Sequence, residues 1–288
     1  MRIADLFRRQ DKVISFEFFP PKSDKGADQL FKTVQELQPL SPSFVSVTYG
    51  AGGGTRRKTL ELVKRIKQEA GLEVMAHLTC VGHSRSELEH VLNQLVEGGL
   101  ENVLALRGDP PKGTEFVRAL DGFGYASELV SFIHDLDLPL CVGAACYPEG
   151  HPESGGLDRD LEHLKTKVDA GVDFLISQLF FDNADYFNFL RRARAIGVSV
   201  PILPGIMPIT NYGQIRRFTQ MCGAKIPEFL AGELEAVRDN LEAVAGVGVS
   251  YAIDQCRELL EDGALGLHFY TLNKSPATRA ILARLKRG

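Results

Sequence analysis

Short apolar runs rich in β-branched residues alternate along the whole chain with longer stretches in which apolar positions recur every three or four residues. The first pattern predicts buried strands and the second amphipathic helices. Strands are predicted over 13–18, 44–48, 73–78, 102–106, 140–144, 174–178, 201–205 and 266–270. Helices are predicted over 26–37, 57–70, 85–97, 125–136, 158–170, 184–196 and 212–222, with a last one after Pro276 and extra helical material over roughly 227–262. No linker or low-complexity break interrupts the repeat. Eight strand–helix units read as an α/β fold, a single (β/α)8 TIM barrel over 1–288 with extra helices between strands seven and eight. A doubly wound open sheet is the alternative.

Composition narrows the class of partner. Lys plus Arg is 33 and Asp plus Glu 37, giving a net charge of −4 with no long block of like charge. Nucleic acid is therefore not an expected partner. Residues 1–12 lack the apolar core of a signal peptide, and no apolar run reaches the length of a membrane span, so a cytoplasmic protein is expected. Cys80, Cys141, Cys146, Cys222 and Cys256 form no C-x-x-C pair and read as small buried hydrophobes rather than a disulfide framework. Neither paired Cys/His spacing nor H-E-x-x-H occurs, so no metal is expected.

A barrel places its chemistry at the C-terminal ends of its strands. Those ends carry Glu17, Thr48-Tyr49, His77, Arg107-Gly108-Asp109, Tyr147 through His151, Gln178, and Tyr270 with Asn273 and Lys274. Any one of these is explicable as a cap or a satisfied core group, and a lone His77 favours that reading. Seven polar strand ends together point to a polar ligand site. Glu17 is the most telling, because a carboxyl group in the run Val13-Ile14-Ser15-Phe16-Glu17-Phe18-Phe19 is either buried, and then paired or protonated, or turned to solvent at the strand end. The glycine-rich stretch 50–59 fits neither a P-loop nor G-x-G-x-x-G. It reads as a loop that admits a close ligand, with Thr55 as a helix N-cap.

Seven blocks in order carry a family resemblance over nearly the whole chain: Ser15 to Pro21, Phe44 to Gly50, His77-Leu78-Thr79-Cys80, Leu106-Arg107-Gly108-Asp109, Tyr147-Pro148-Glu149, Lys167 to Gly171, and His268 to Asn273. Together they resemble methylenetetrahydrofolate reductase, in its short bacterial form without a C-terminal regulatory domain. The resemblance implies a flavoprotein barrel holding FAD. Such an enzyme reduces 5,10-methylenetetrahydrofolate to 5-methyltetrahydrofolate with NADH or NADPH, supplying methyl groups for methionine synthesis. A homo-oligomer, dimer or tetramer, is the expected assembly.

Site roles follow from the same resemblance. Glu17 matches the general acid that protonates folate N10, with Phe16, Phe18 and Phe19 expected to favour its protonated form. Asp109 matches an ionised carboxylate beside flavin and pterin, although turn formation before Pro110 is its bland role. Flavin contacts carry over onto Tyr49, Ala51, His77, Arg107, Gly108, Tyr125, Ala126, Tyr147, His151, Asp160 and Lys167, and further onto Ser154 and His163. Arg107, His151 and Lys167 are the expected pyrophosphate partners. Asp160 and Lys167 also fit the exposed face of a helix, and Thr166 stands where some members carry a second basic residue. Thr48 matches a nicotinamide contact, and Gln178 a residue used by pterin and nicotinamide in turn, which implies ping-pong kinetics. Gln214, Phe218 and Tyr270 match folate contacts, although Ile215, Phe218 and Cys222 also share a core-like helical spacing. Lys274 replaces an arginine, keeping charge for the folate's glutamate tail but losing the bidentate fork. A flavin-free folate methyltransferase barrel and a non-catalytic ligand-binding barrel are the rival readings. The first gives no reason for Arg107, His151 and Lys167, and the second none for Glu17.

Overall fold

Each predicted strand forms close to its predicted bounds. In the computed structural model, which describes residues 1–21, 23–49, 53–110 and 113–286, they are β1 (Val13–Phe18), β2 (Phe44–Val47), β3 (Val74–Thr79), β4 (Asn102–Leu106), β5 (Cys141–Cys146), β6 (Phe174–Leu179), β7 (Ile202–Ile206) and β8 (Gly266–Tyr270). Neighbours pair in parallel in chain order, and β8 pairs with β1 to close the barrel. Among the described residues the helices are α1 (Ile3–Arg9), α2 (Asp24–Leu37), α3 (Gly53–Arg65), α4 (Arg85–Glu97), α5 (Ala126–Asp135), α6 (Leu157–Asp169), α7 (Asn183–Ala195), α8 (Tyr212–Cys222), α9 (Glu228–Ala236), α10 (Leu241–Glu261) and α11 (Pro276–Leu285). None of them is long and apolar enough to cross a membrane.

Strand alternation divides the apolar residues into two cores. Phe16, Phe18, Val45, Val47, Leu78, Val103, Val142, Leu175 and Phe269 face outward and pack beneath the helices. Val13, Phe44, Met75, Leu104, Cys141, Phe174, Ile176 and Leu203 fill the lower barrel interior. The short α1, which lay below the length at which periodicity signals a helix, closes this end by inserting Ile3 and Leu6. Asn102 anchors it, accepting from the Ile3 N–H at 2.7 Å and donating to the Met1 carbonyl at 3.0 Å.

Two local expectations change. α3 begins at Gly53, so Thr55 lies within its first turn instead of capping it, because glycines enter the helix ahead of it. The helix after β7 is also different from the expected one. α10 packs against α7 and α11 and sends Ala252, Cys256 and Leu259 into the shell beneath the helices, so it occupies the barrel position. α8 and α9 instead form a separate apolar cluster with the β6 and β7 ends, through Ile215, Leu230 and Leu234 against Leu179, Phe181, Met207 and Ile209. They are the inserted pair, and they cap the mouth. Asn240 starts α10 by accepting from the N–H groups of Glu242 and Ala243.

Candidate active site

Above the apolar floor the barrel interior becomes polar. Glu17 is 6% exposed, and its Oε2 lies 3.4 Å from His77 Nε2 on β3 and 3.4 Å from His268 Nε2 on β8. The His268 approach has hydrogen-bond geometry, whereas His77 Nε2 is not aligned and stays unpartnered among the described residues. His268 is held in turn by the Ser15 hydroxyl, 2.8 Å from Nδ1, and its ring stacks on Phe44. Burial pushes the His77 imidazole down to about 4, against an opposing pull from Glu17, so it is neutral near pH 7. The Glu17 backbone is fixed by Thr271, whose hydroxyl donates to its carbonyl at 2.6 Å.

This environment corrects the expected one. Phe16 and Phe18 do not flank the Glu17 carboxyl group; with a side-chain period of two they point to the opposite face, into the shell beneath the helices. Phe19 is 39% exposed. Glu17 is indeed buried, but its immediate surroundings are imidazoles.

Across the mouth, β4 and β5 lead into a second set. Gly108 has φ +81°, and a Cβ there would lie 2.7 Å from Val81 Cγ1, so both conformation and space call for glycine. Beside it, the buried Thr79 Oγ1 is unpartnered among the described residues. Arg107 forms a two-pronged ion pair with Glu153, with Nη2 2.9 Å from Oε1, and lies over the Phe116 ring. The exposed Asp109 is close enough to exert its charge on Arg107, Tyr147 and His151. Tyr147 meets the His151 ring edge-on at 4.7 Å. His151 Nδ1 accepts from the Glu153 N–H at 3.1 Å, and burial lowers its pKa.

Beneath these loops, Ser154 donates to Asp160 Oδ1 at 2.8 Å, both residues being buried. Lys167 Nζ donates to the Ala145 carbonyl at 2.5 Å, and burial lowers its pKa. Neither Asp160 nor Lys167 therefore sits on an exposed helix face. His163, by contrast, is exposed on α6 and takes no part in these contacts. Tyr125, 67% exposed, and Ala126 stand at the start of α5, which is tied to the β3 end by Cys80 Sγ donating to the Tyr125 carbonyl. Tyr49 meets His83, with its hydroxyl 3.3 Å from Nε2. Thr48, at the end of β2, donates its N–H to the Phe18 carbonyl at 2.9 Å. Ala51 lies outside the described residues.

The remaining wall comes from β6, β8 and the inserted helices. Gln178 Oε1 accepts from the Leu179 N–H at 2.9 Å, leaving its amide nitrogen as a donor. The Tyr270 hydroxyl donates to the Ser177 carbonyl at 2.7 Å, and burial raises its pKa well above the usual value. Phe218 and Tyr270 border the same apolar cluster, and Gln214 lies on the first turn of α8. Lys274 lines a cavity of about 230 Å³ with Pro208, Thr210, Tyr270 and Leu272.

Sequence reasoning passed over Ser15, His268 and Glu153. The first two carried a signal, since each precedes a predicted site residue, Glu17 or Tyr270, by two positions and so shares its strand face. Glu153 lies beyond β5 and carried none.

Comparison with known proteins identifies the family of the chain. The family model described as methylenetetrahydrofolate reductase matches residues 2–286. The 5,10-methylenetetrahydrofolate reductase of Escherichia coli K12 is 38% identical over 268 residues, covering 93% of this chain and 88% of that protein. Methylenetetrahydrofolate reductase (NADH) 1 of Arabidopsis thaliana is 40% identical over 295 residues, covering 99% of this chain and 50% of that protein. The chain thus spans about half the length of its plant relatives, as of that of Zea mays, where the share is 48%. Among solved structures, a Clostridium thermocellum protein that binds two copies of 5-methyl-5,6,7,8-tetrahydrofolic acid matches with TM-score 0.69 and 14% identity over 100% of this chain and 98% of that one, a likeness of fold. With the family model spanning nearly all of its length and a bacterial relative matched over most of its own, the chain belongs to the methylenetetrahydrofolate reductase family.

Proposed function

We propose that residues 1–288 act as a catalytic barrel that reduces 5,10-methylenetetrahydrofolate to 5-methyltetrahydrofolate with a nicotinamide donor and FAD. The observation that carries this reading is Glu17, a carboxyl group buried at the C-terminal end of a barrel of this family. The plant relatives named as NADH enzymes support a nicotinamide donor.

The residues on the far side of the mouth fit FAD. Gly108 keeps open a space that a Cβ would fill, and the unpartnered Thr79 hydroxyl beside it suits a polar ligand. Arg107, His151 and Lys167 would hold the pyrophosphate, Arg107 exchanging Glu153 for phosphate oxygens. The Ser154–Asp160 pair would meet ribityl or ribose hydroxyls, with Tyr49, His77, Tyr125, Ala126 and Tyr147 lining the rest. Bound flavin would supply a hydride relay between nicotinamide and the folate's one-carbon unit.

The chain's own part in the folate step is acid catalysis and charge stabilisation. Glu17 gives a proton to N10, the C–N10 bond opens, and a 5-iminium cation forms on the folate. Asp109 offsets that positive charge from the mouth. Gln178 uses its amide nitrogen to orient whichever ligand is present, pterin or nicotinamide, which gives ping-pong kinetics. Gln214, Phe218 and Tyr270 hold the pterin, Thr48 touches the nicotinamide, and Lys274 attracts the glutamate tail.

The test is colour. Purified protein reconstituted with FAD should be yellow, bleach anaerobically with NADH or NADPH, and regain colour on addition of methylenetetrahydrofolate. Failure to bind FAD, or bleached enzyme that folate cannot reoxidise, overturns the proposal.

A further inference from the structure

The acid would work only if its proton sits on the oxygen that faces substrate, and three buried groups near Glu17 bear on that. Ser15 is fully buried, and His268 Nδ1, 2.8 Å away, is the acceptor its hydroxyl meets. A buried hydroxyl without an acceptor is costly, so Ser15 donates and Nδ1 accepts. That choice leaves the other ring nitrogen, Nε2, carrying the hydrogen, and it faces Glu17 Oε2 at 3.4 Å. His77 approaches the same Oε2, not Oε1. Both imidazoles therefore address one carboxyl oxygen, and the other is left for the mouth.

We propose that His268, set in one tautomer by Ser15, is a positioning residue for Glu17: its Nε2–H occupies Oε2, so that the transferable proton resides on Oε1. This rests on the reductase reading. On transfer the Oε1–H bond breaks and an N–H bond forms at folate N10. The electron pair stays on Glu17 as a carboxylate that still accepts from His268, and water restores the proton in the next turnover. His268 itself neither gains nor loses a proton. Ser15 and His268 are both fully buried and act through Glu17.

Two measurements test this. In protein carrying FAD and 15N-labelled histidine, NMR should find His268 as the neutral Nε2–H tautomer, and Ser15→Ala should convert it to a mixture. An Nδ1–H tautomer in the unsubstituted protein overturns the proposal. In stopped-flow kinetics His268→Leu should slow flavin reoxidation by folate roughly tenfold to a hundredfold, and leave flavin reduction by nicotinamide within about twofold. His268→Gln, which restores an N–H near the Nε2 position, should recover most of the loss. The double variant Glu17→Gln/His268→Leu should be no slower than Glu17→Gln alone. Equal slowing of both half reactions, multiplicative effects in the double variant, or no rescue by glutamine contradicts it. Should His268→Leu not fold, Ser15→Ala, which removes a single atom, carries the same kinetic comparison with a smaller effect. An unsubstituted protein that folate does not reoxidise sinks the reductase reading instead, while the tautomer measurement still decides the role of His268.

Discussion

The floor and the upper interior of the barrel are built from the same eight strands and follow opposite rules. The floor is apolar and closed: Phe44, Met75, Phe174 and Leu203 interlock, and α1 seals them from below. A few residues further along the strands the inward positions become Ser15, Ser46, His77, His268 and Glu17, nearly all buried, with Ser46 Oγ and His77 Nε2 unpartnered among the described residues. Buried polar atoms without partners cost stability. The floor holds the fold together, and the layer above gives up part of that stability to keep a carboxyl group and two imidazoles in the mouth.

Substitutions that treat the two layers alike should therefore have different outcomes. In the floor, Phe174 packs against Phe7 and Phe44 with no exposure. Phe174→Ala should cost about 3–5 kcal/mol in urea unfolding, as expected for a large core deletion. In the upper layer, the burial that drives His77 down to about 4 gives a pH dependence of known sign. The unfolded chain takes up a proton near 6.5, the folded one only near 4, so this contribution is intact above pH 6.5 and is lost as the pH falls toward 4. The loss of stability between pH 7.5 and 4.5 should be smaller in His77→Gln by about 2 kcal/mol. The smallest effect belongs to Ser46→Ala, which removes an unpartnered buried hydroxyl and should be neutral or stabilising by up to about 1 kcal/mol. A large loss at Ser46, or none at Phe174, would erase the distinction between the layers.

The same contrast explains what could be read from the sequence. All eight strands were legible because inward and outward faces are both apolar in the lower barrel, giving unbroken runs. Strand ends were legible as polar interruptions of those runs, which located Glu17, His77, Gln178 and Tyr270. Facing was harder to see: in Phe16-Glu17-Phe18 the neighbours in sequence are the farthest apart in environment, and the groups that touch Glu17 come from β3 and β8. Pairing between loops left no trace either, so Glu153 was invisible as the partner of Arg107. The α8–α10 segment misled because amphipathic spacing tells that a helix is half-buried, not which core it joins.

Under the proposed function, the buried Glu17 serves the folate step alone. Glu17→Gln keeps the size and most of the hydrogen-bonding of the side chain and removes its acid. Anaerobic stopped-flow spectra of the FAD-loaded variant should show flavin bleached by nicotinamide at the unsubstituted rate, and reoxidation by methylenetetrahydrofolate slowed by about 10²–10⁴-fold. Reoxidation at the unsubstituted rate, or equal loss in both half reactions, would contradict the account.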